Sequence, residues 1–144
     1  MAKEKQKFIQ QPLFEDFLPK KEEKTNNEMG IVRGEYAAST ERPYNHVYVD
    51  GEYLDPKESL KLENHSPDGF NWGYEGSGPS QLALALLLHF TKDKRFSVLF
   101  HNELKSDIIS LISQGSDFSI NKESIIQWIE KKRNGEGSIK EIVS

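Results

Sequence analysis

The sequence predicts an α+β fold, in which a small antiparallel sheet built on a hairpin around Asp50-Gly51 packs on a central buried helix and two further helices. Three observations carry that prediction. Leu82 to Leu88 is a run of seven apolar residues, all leucine or alanine, which favour helix over strand. A helix apolar on every side must be buried on every side. Val47 to Leu54 alternates about an Asp-Gly pair, which supplies the two positive φ angles of a type I′ turn. From Phe96 to Ile112, and again from Ile125 to Ile129, apolar residues recur at three- and four-residue spacings, the period of amphipathic helices.

Taken in order, residues 1–30 hold six basic and six acidic side chains and almost no apolar period, so they are expected to form a tail. One island interrupts it between Ile9 and Pro19. Its apolar residues could dock on the chain's own domain. Within it, Gln10-Gln11-Pro12-Leu13-Phe14 resembles the short peptide, Gln then two residues then Leu-Phe, by which bacterial proteins dock on the DNA-polymerase sliding clamp. That resemblance makes Gln10, Leu13 and Phe14 candidate partner-binding residues.

From Ile31 the texture turns to β. Ile31 to Ala38 offers a strand through Val32 and Tyr36, with Arg42-Pro43 as the following turn. In the hairpin a two-residue loop sets Val49 against Glu52, Tyr48 against Tyr53 and Val47 against Leu54, with Val47, Val49 and Leu54 on the core face. Leu60 and Leu62, two apart, suggest a further extended piece. Gly78 reads as the cap of the central helix and Pro79 as its first residue. Thr91-Lys92-Asp93 breaks the chain before an amphipathic helix that Ser106-Asp107 divides and Gly115 ends. Phe118-Ser119-Ile120 reads as a short strand, and Asn121 as the cap of a last helix with Ile125, Ile126 and Ile129 on its buried stripe and Trp128 at the edge. Lys131, Lys132 and Arg133 suit the negative end of that helix dipole, and Gly135 closes it. The domain thus spans 31–133, and 134–144 is a second tail.

Composition narrows the function. At 144 residues the chain suits one domain. A net charge of −4 gives no global reason to bind nucleic acid or an anionic membrane. With no cysteine there are no disulfides, no thiol catalysis and no thiolate zinc sites, which suits a reducing compartment. The N-terminus lacks the apolar region of a secretory signal, and the longest apolar run is too short for a bilayer. A cytoplasmic protein without a membrane partner is expected.

Candidate site residues crowd around the start of the central helix. The series His65-Ser66-Pro67-Asp68-Gly69-Phe70, Trp72-Gly73-Tyr74, Gly76-Ser77-Gly78-Pro79 and Gln81-Leu82-Ala83-Leu84-Ala85 resembles a family of small uncharacterised proteins, a domain of unknown function, seen in bacteria, phages and other mobile elements. The resemblance runs from near Val47 to near Ile129. It implies a shared fold and a mobile-element origin, and it carries over no activity.

Read physically, Gly76 to Ser80 presents hydroxyls and unpaired N–H groups at the positive end of a helix, a place for a phosphate-containing small molecule. Trp72 and Tyr74 could stack on a ligand, and Gln81 could reach one or brace the loop. Trp72, Tyr74, Gly76, Ser77, Gly78, Ser80 and Gln81 are therefore the candidate ligand-binding residues. The competing structural reading has the glycines letting a loop cross tightly over the core helix while Ser77 caps it. His65 and Asp68 could serve as an acid–base pair with Ser77 as nucleophile, although their spacing does not demand it and no Gly-x-Ser-x-Gly elbow surrounds Ser77. His46, His65, His89 and His101 show no ligand spacing, so neither a metal nor a cofactor is expected.

The reading that follows is a small non-enzymatic binding or adaptor protein with the glycine loop and helix start as its recognition surface. Its alternatives are a replication accessory tethered to the sliding clamp, and a small hydrolase or nucleotide-processing enzyme using His65, Asp68 and Ser77.

Overall fold

The computed structural model describes residues 28–40 and 43–135. Asp50 and Gly51 both take positive φ, 54° and 81°, so the turn is the one its sequence demands. It joins strand β2 (His46–Val49) to β3 (Glu52–Tyr53) in the predicted register, Tyr48 opposite Tyr53 and Val49 opposite Glu52. Strand β1 (Ile31–Glu35) pairs antiparallel with β2, setting Val32 against Val49. On its other side β1 pairs antiparallel with β4 (Phe118–Asn121), giving the order β3-β2-β1-β4. The turn residue Asp50 is also an anchor, since its carboxylate accepts from Gly30 N–H at 2.5 Å and from Lys122 Nζ at 2.8 Å.

Helix α1 (Ala37–Thr40) is a single turn after β1, and α2 (Lys57–Leu62) follows the hairpin. The extended piece expected at Leu60 and Leu62 is thus helical. Asp55 accepts from Lys57 N–H at 2.9 Å and Leu60 N–H bonds Pro56 O at 2.9 Å, so Asp-Pro starts a helix here. Helix α3 (Ser77–Thr91) is the central element. Every residue from Gly78 to Leu87 is buried, so the apolar run is enclosed except at its last member, the half-buried Leu88. It begins two residues before the predicted start. Gly76, in extended conformation, is the cap, because Ser80 N–H bonds Gly76 O, and Pro79 falls within the first turn, where its missing donor costs nothing. Ser77 is therefore the first helical residue and not the cap.

Lys92 ends α3 in the left-handed region, and Asp93 caps α4 (Lys94–Asp107) by accepting from Phe96 N–H at 3.0 Å. The predicted break at Ser106-Asp107 marks the end of α4, and a single 3-10 turn, Ile109–Leu111, follows. Asn121 caps α5 (Lys122–Arg133) as expected, accepting from Glu123 N–H. Ile125 and Ile129 are buried, with Ile126 and Trp128 half-buried. Two members of the basic cluster turn back onto the domain: Lys132 reaches Glu103 at 2.9 Å, and Arg133 lies 4.4 Å from the Phe96 ring.

One apolar core joins Val32, Val47, Val49 and Leu54 from the sheet region to Leu82, Leu86 and Leu87 of α3, Leu104 of α4 and Ile125 of α5. Burying each such aliphatic side chain contributes about 1.5–3 kcal/mol. Strand β2 is covered on both faces, because the Arg33 guanidinium lies 4.1 Å over the Tyr48 ring on the side away from the aliphatic residues. Gly34 lets Phe118 and Trp72 close over β1: a Cβ there would stand 2.3 Å from the Phe118 ring and 2.9 Å from that of Trp72. Among the described residues no helix is long and apolar enough to cross a membrane.

Candidate functional site

The connection from α2 to α3 and the first turns of α3 carry the sequence-predicted site residues of the domain, and two stretches, 63–66 and 69–78, are built differently. In residues 69–78 the glycines serve close packing. Trp72 is fully buried, donates from Nε1 to Ser116 O at 2.8 Å, and sets its ring edge against Phe118 at 4.7 Å. Gly73 has φ +88°, and a Cβ there would lie 2.4 Å from the Gln114 backbone. Gly78 is pressed on Asn71, Gly76 on the Tyr74 ring, and buried Ser80 donates to Asn102 Oδ1 at 3.4 Å. Of the predicted ligand-binding set, Trp72, Gly78, Ser80 and Gln81 are thus buried, Tyr74 and Gly76 half-buried, and Ser77 exposed. Ser77 and Asp68 open onto a shallow depression of about 240 Å³, whose wall also includes Tyr44, Asn45, Asn71 and Tyr74.

The stretch 63–66 is organised by one side chain of α3. Gln81 is fully buried and accepts on Oε1 from the N–H groups of His65 at 2.7 Å and Ser66 at 3.0 Å. Its Nε2 donates to Ser59 Oγ at 2.9 Å and Glu63 O at 3.1 Å. Both donors and both acceptor positions of the amide are satisfied. The brace aims two side chains at α4. His65 Nε2 lies 2.8 Å from Glu63 Oε1 and 3.0 Å from His101 Nε2, and His101 Nε2 lies 3.5 Å from Glu63 Oε1.

His101 sits on the buried stripe of α4 with Ser97 and Leu104. Its Nδ1 is 3.1 Å from Ser97 O and 2.9 Å from Val98 O. Carbonyl oxygens only accept, so Nδ1 carries the hydrogen and the lone pair of the neutral ring is on Nε2. Burial holds the His101 imidazole below its ordinary pKa, against the opposing pull of the Val98 carbonyl and the Glu63 carboxylate. The side chains of Glu63 and His65 stay partly exposed, at 37% and 30%, so the group opens to solvent on one side.

A family profile for a family of unknown function, DUF6166, matches residues 36–131. The chain belongs to DUF6166. No curated protein and no solved structure matches it. The DUF6166 span takes in the hairpin, the whole α2–α3 connection, α3, α4 and most of α5. It contains every residue of the series read above from His65 to Ala85, together with Glu63 and His101.

Within this DUF6166 domain the ring partners of His65 are Glu63 and His101, and the wall that Asp68 and Ser77 share does not include it. Of the four histidines without ligand spacing in sequence, two, His65 and His101, therefore become in the fold a close pair beside a glutamate. Sequence reasoning missed Glu63 and His101. The usable signals were a glutamine inside an otherwise apolar helix and a histidine on the apolar stripe of the next one. Gln10, Leu13 and Phe14 lie outside the described residues.

Proposed function

We propose that this chain is a small non-enzymatic binding protein whose recognition surface is the polar depression in front of α3. The make-up of the wall carries the reading. Tyr44 and Tyr74 bring aromatic rings with hydroxyls, Asn45 and Asn71 amides, Ser77 a hydroxyl and Asp68 a carboxylate, with no lysine or arginine among the described lining residues. Such a wall complements a small ligand rich in hydroxyl or amide groups and free of negative charge. A phosphate would meet the α3 N–H groups, but it would also meet Asp68. The binding reading is preferred to hydrolysis by His65, Asp68 and Ser77 because the His65 ring faces Glu63 and His101 and is not on the wall that Asp68 and Ser77 share. A cytoplasmic setting and a mobile-element origin belong to the same proposal, supported by the cysteine-free sequence and by the resemblance of the His65 to Ala85 series.

The test is a thermal-shift screen of saccharides, nucleosides and nucleoside phosphates on the full chain and on Asp68→Ala and Ser77→Ala. A ligand at a hundred times its dissociation constant adds about 2.7 kcal/mol of stability. The expected hit is uncharged and is lost in both variants. A hit indifferent to both substitutions, or none at all, would remove the depression as a recognition surface.

A further inference from the structure

We propose that Glu63, His65 and His101 form a binding site for one divalent first-row transition-metal ion, separate from the depression in front of α3. Three donor atoms of the right kind converge there. Glu63 Oε1, His65 Nε2 and His101 Nε2 stand 2.8, 3.0 and 3.5 Å apart. With metal–ligand bonds of about 2.0–2.2 Å, adjacent ligands are held about 2.9 Å apart in an octahedral site and about 3.4 Å apart in a tetrahedral one. The observed triangle covers that range. It is made from a residue on each side of Asn64 and one from a different helix, and these residues are the described chain's grouping of three metal-ligating side chains.

Hydrogen bonding alone accounts poorly for this triangle. The hydrogen of His101 is already committed on Nδ1, toward Ser97 O and Val98 O, so its Nε2 offers a lone pair. Glu63 offers another. A single N–H on His65 Nε2 would have to serve both, and because the two acceptors are farther from each other, 3.5 Å, than either is from Nε2, it cannot point at both. A cation at the centre satisfies all three lone pairs at once.

The surroundings are those of a prepared site. The His101 side chain is 3% exposed, and its far nitrogen is fixed by main-chain carbonyls, the outer-shell contact that sets tautomer and ring direction in metal-bound histidines. Gln81 holds the main chain of both other ligand residues, through Glu63 O and the His65 N–H. It is a positioning residue. Two imidazoles and one carboxylate select zinc, iron, cobalt, nickel or manganese over magnesium and calcium, which prefer all-oxygen shells. The partial exposure of Glu63 and His65 leaves the remaining coordination positions to water or to a ligand from outside. A bound ion would also tie the α2–α3 connection to α4.

The experiment uses the untagged full chain, stripped with a chelator and titrated with Zn²⁺ and with Co²⁺ at neutral pH. Calorimetry, metal content after dialysis and imidazole ¹⁵N shifts are the readouts. One ion per chain is expected, with the shifts of His65 and His101 changing and those of His46 and His89 unchanged. Uptake should be lost in His65→Ala and in Glu63→Ala, both partly exposed positions whose circular dichroism should match the wild type. It should weaken about 10–100-fold in Gln81→Ala, which removes no ligand. Failure of the wild-type protein to take up a stoichiometric ion overturns the site, and so does uptake that survives His65→Ala and Glu63→Ala unchanged.

Discussion

Residues 63–66 and residues 69–78 lead one after the other from α2 into the first turn of α3, yet the first stretch has no glycine and the second has four. In the second, Gly73 and Gly78 mark where the backbone of 114 and the side chain of Asn71 come too close for a Cβ, and Trp72 is sealed into the core. In the first, one buried amide spans the gap between helix and loop and leaves two ligating side chains pointing at a third. A loop rich in glycine is here a measure of how closely chain packs on chain. The stretch with converging chemistry is the one held at a distance by a polar side chain.

The contrast can be broken by substitution. The largest effect belongs to Trp72→Ala, which empties the volume between Gly34, Phe118 and Tyr36 and should cost about 3–5 kcal/mol in denaturant unfolding. A loss under about 1 kcal/mol would mean that the glycine stretch is not a core element. Next comes Gln81→Leu, which leaves the N–H groups of His65 and Ser66 and the Ser59 hydroxyl short of a partner, at about 1–3 kcal/mol. Ser77→Ala, at an exposed position that is not the cap, should stay within about 0.5 kcal/mol. If those two values came out reversed, the roles assigned to the two stretches would be reversed as well.

The smallest effect concerns pH and the far end of α3. Burial, with Lys92 adding to it and Asp50 and Glu52 opposing, holds the His89 pKa below its ordinary value of 6.5. Below that value the unfolded chain binds more protons at this position than the folded one, so this share of stability is complete above pH 6.5 and declines as pH falls toward the lowered folded value. Unfolding midpoints at pH 7.5 and 5.5, compared with those of His89→Gln, should show a smaller acid-side loss in the variant. An identical loss would assign the dependence to other groups.

Much of the fold was legible because its signals are local. Asp50-Gly51 fixes both turn and register, Asn121 is a cap and Thr91-Lys92-Asp93 a polar break, each followed by an apolar period, and Leu82 to Leu88 is apolar all round. Where two local rules competed, the weaker one misled. Leu60 and Leu62 alternate like a strand, but Asp55-Pro56 is a helix start, and six residues follow it as α2. Proline at 79 fits the first turn of a helix without saying which residue of that turn it is, so the start of α3 was displaced. The convergence of Glu63, His65 and His101 was not legible, because 36 residues of chain separate the two imidazoles and only the packing of α3 on α4 brings them together. Gln81 was the visible trace. A polar side chain in a wholly buried helix must have partners, although the sequence does not name them.

The claim on which the rest depends is that Gln81 fixes the chain at 63–66 from inside the core. Amide hydrogen exchange of His65 and Ser66 tests it most directly. Both amides should be protected in the wild-type protein to the same order as the buried turns of α3, and in Gln81→Ala they should exchange as an open loop while α3 keeps its protection. Rapid exchange of both in the wild-type protein, or protection that survives Gln81→Ala, would contradict the account.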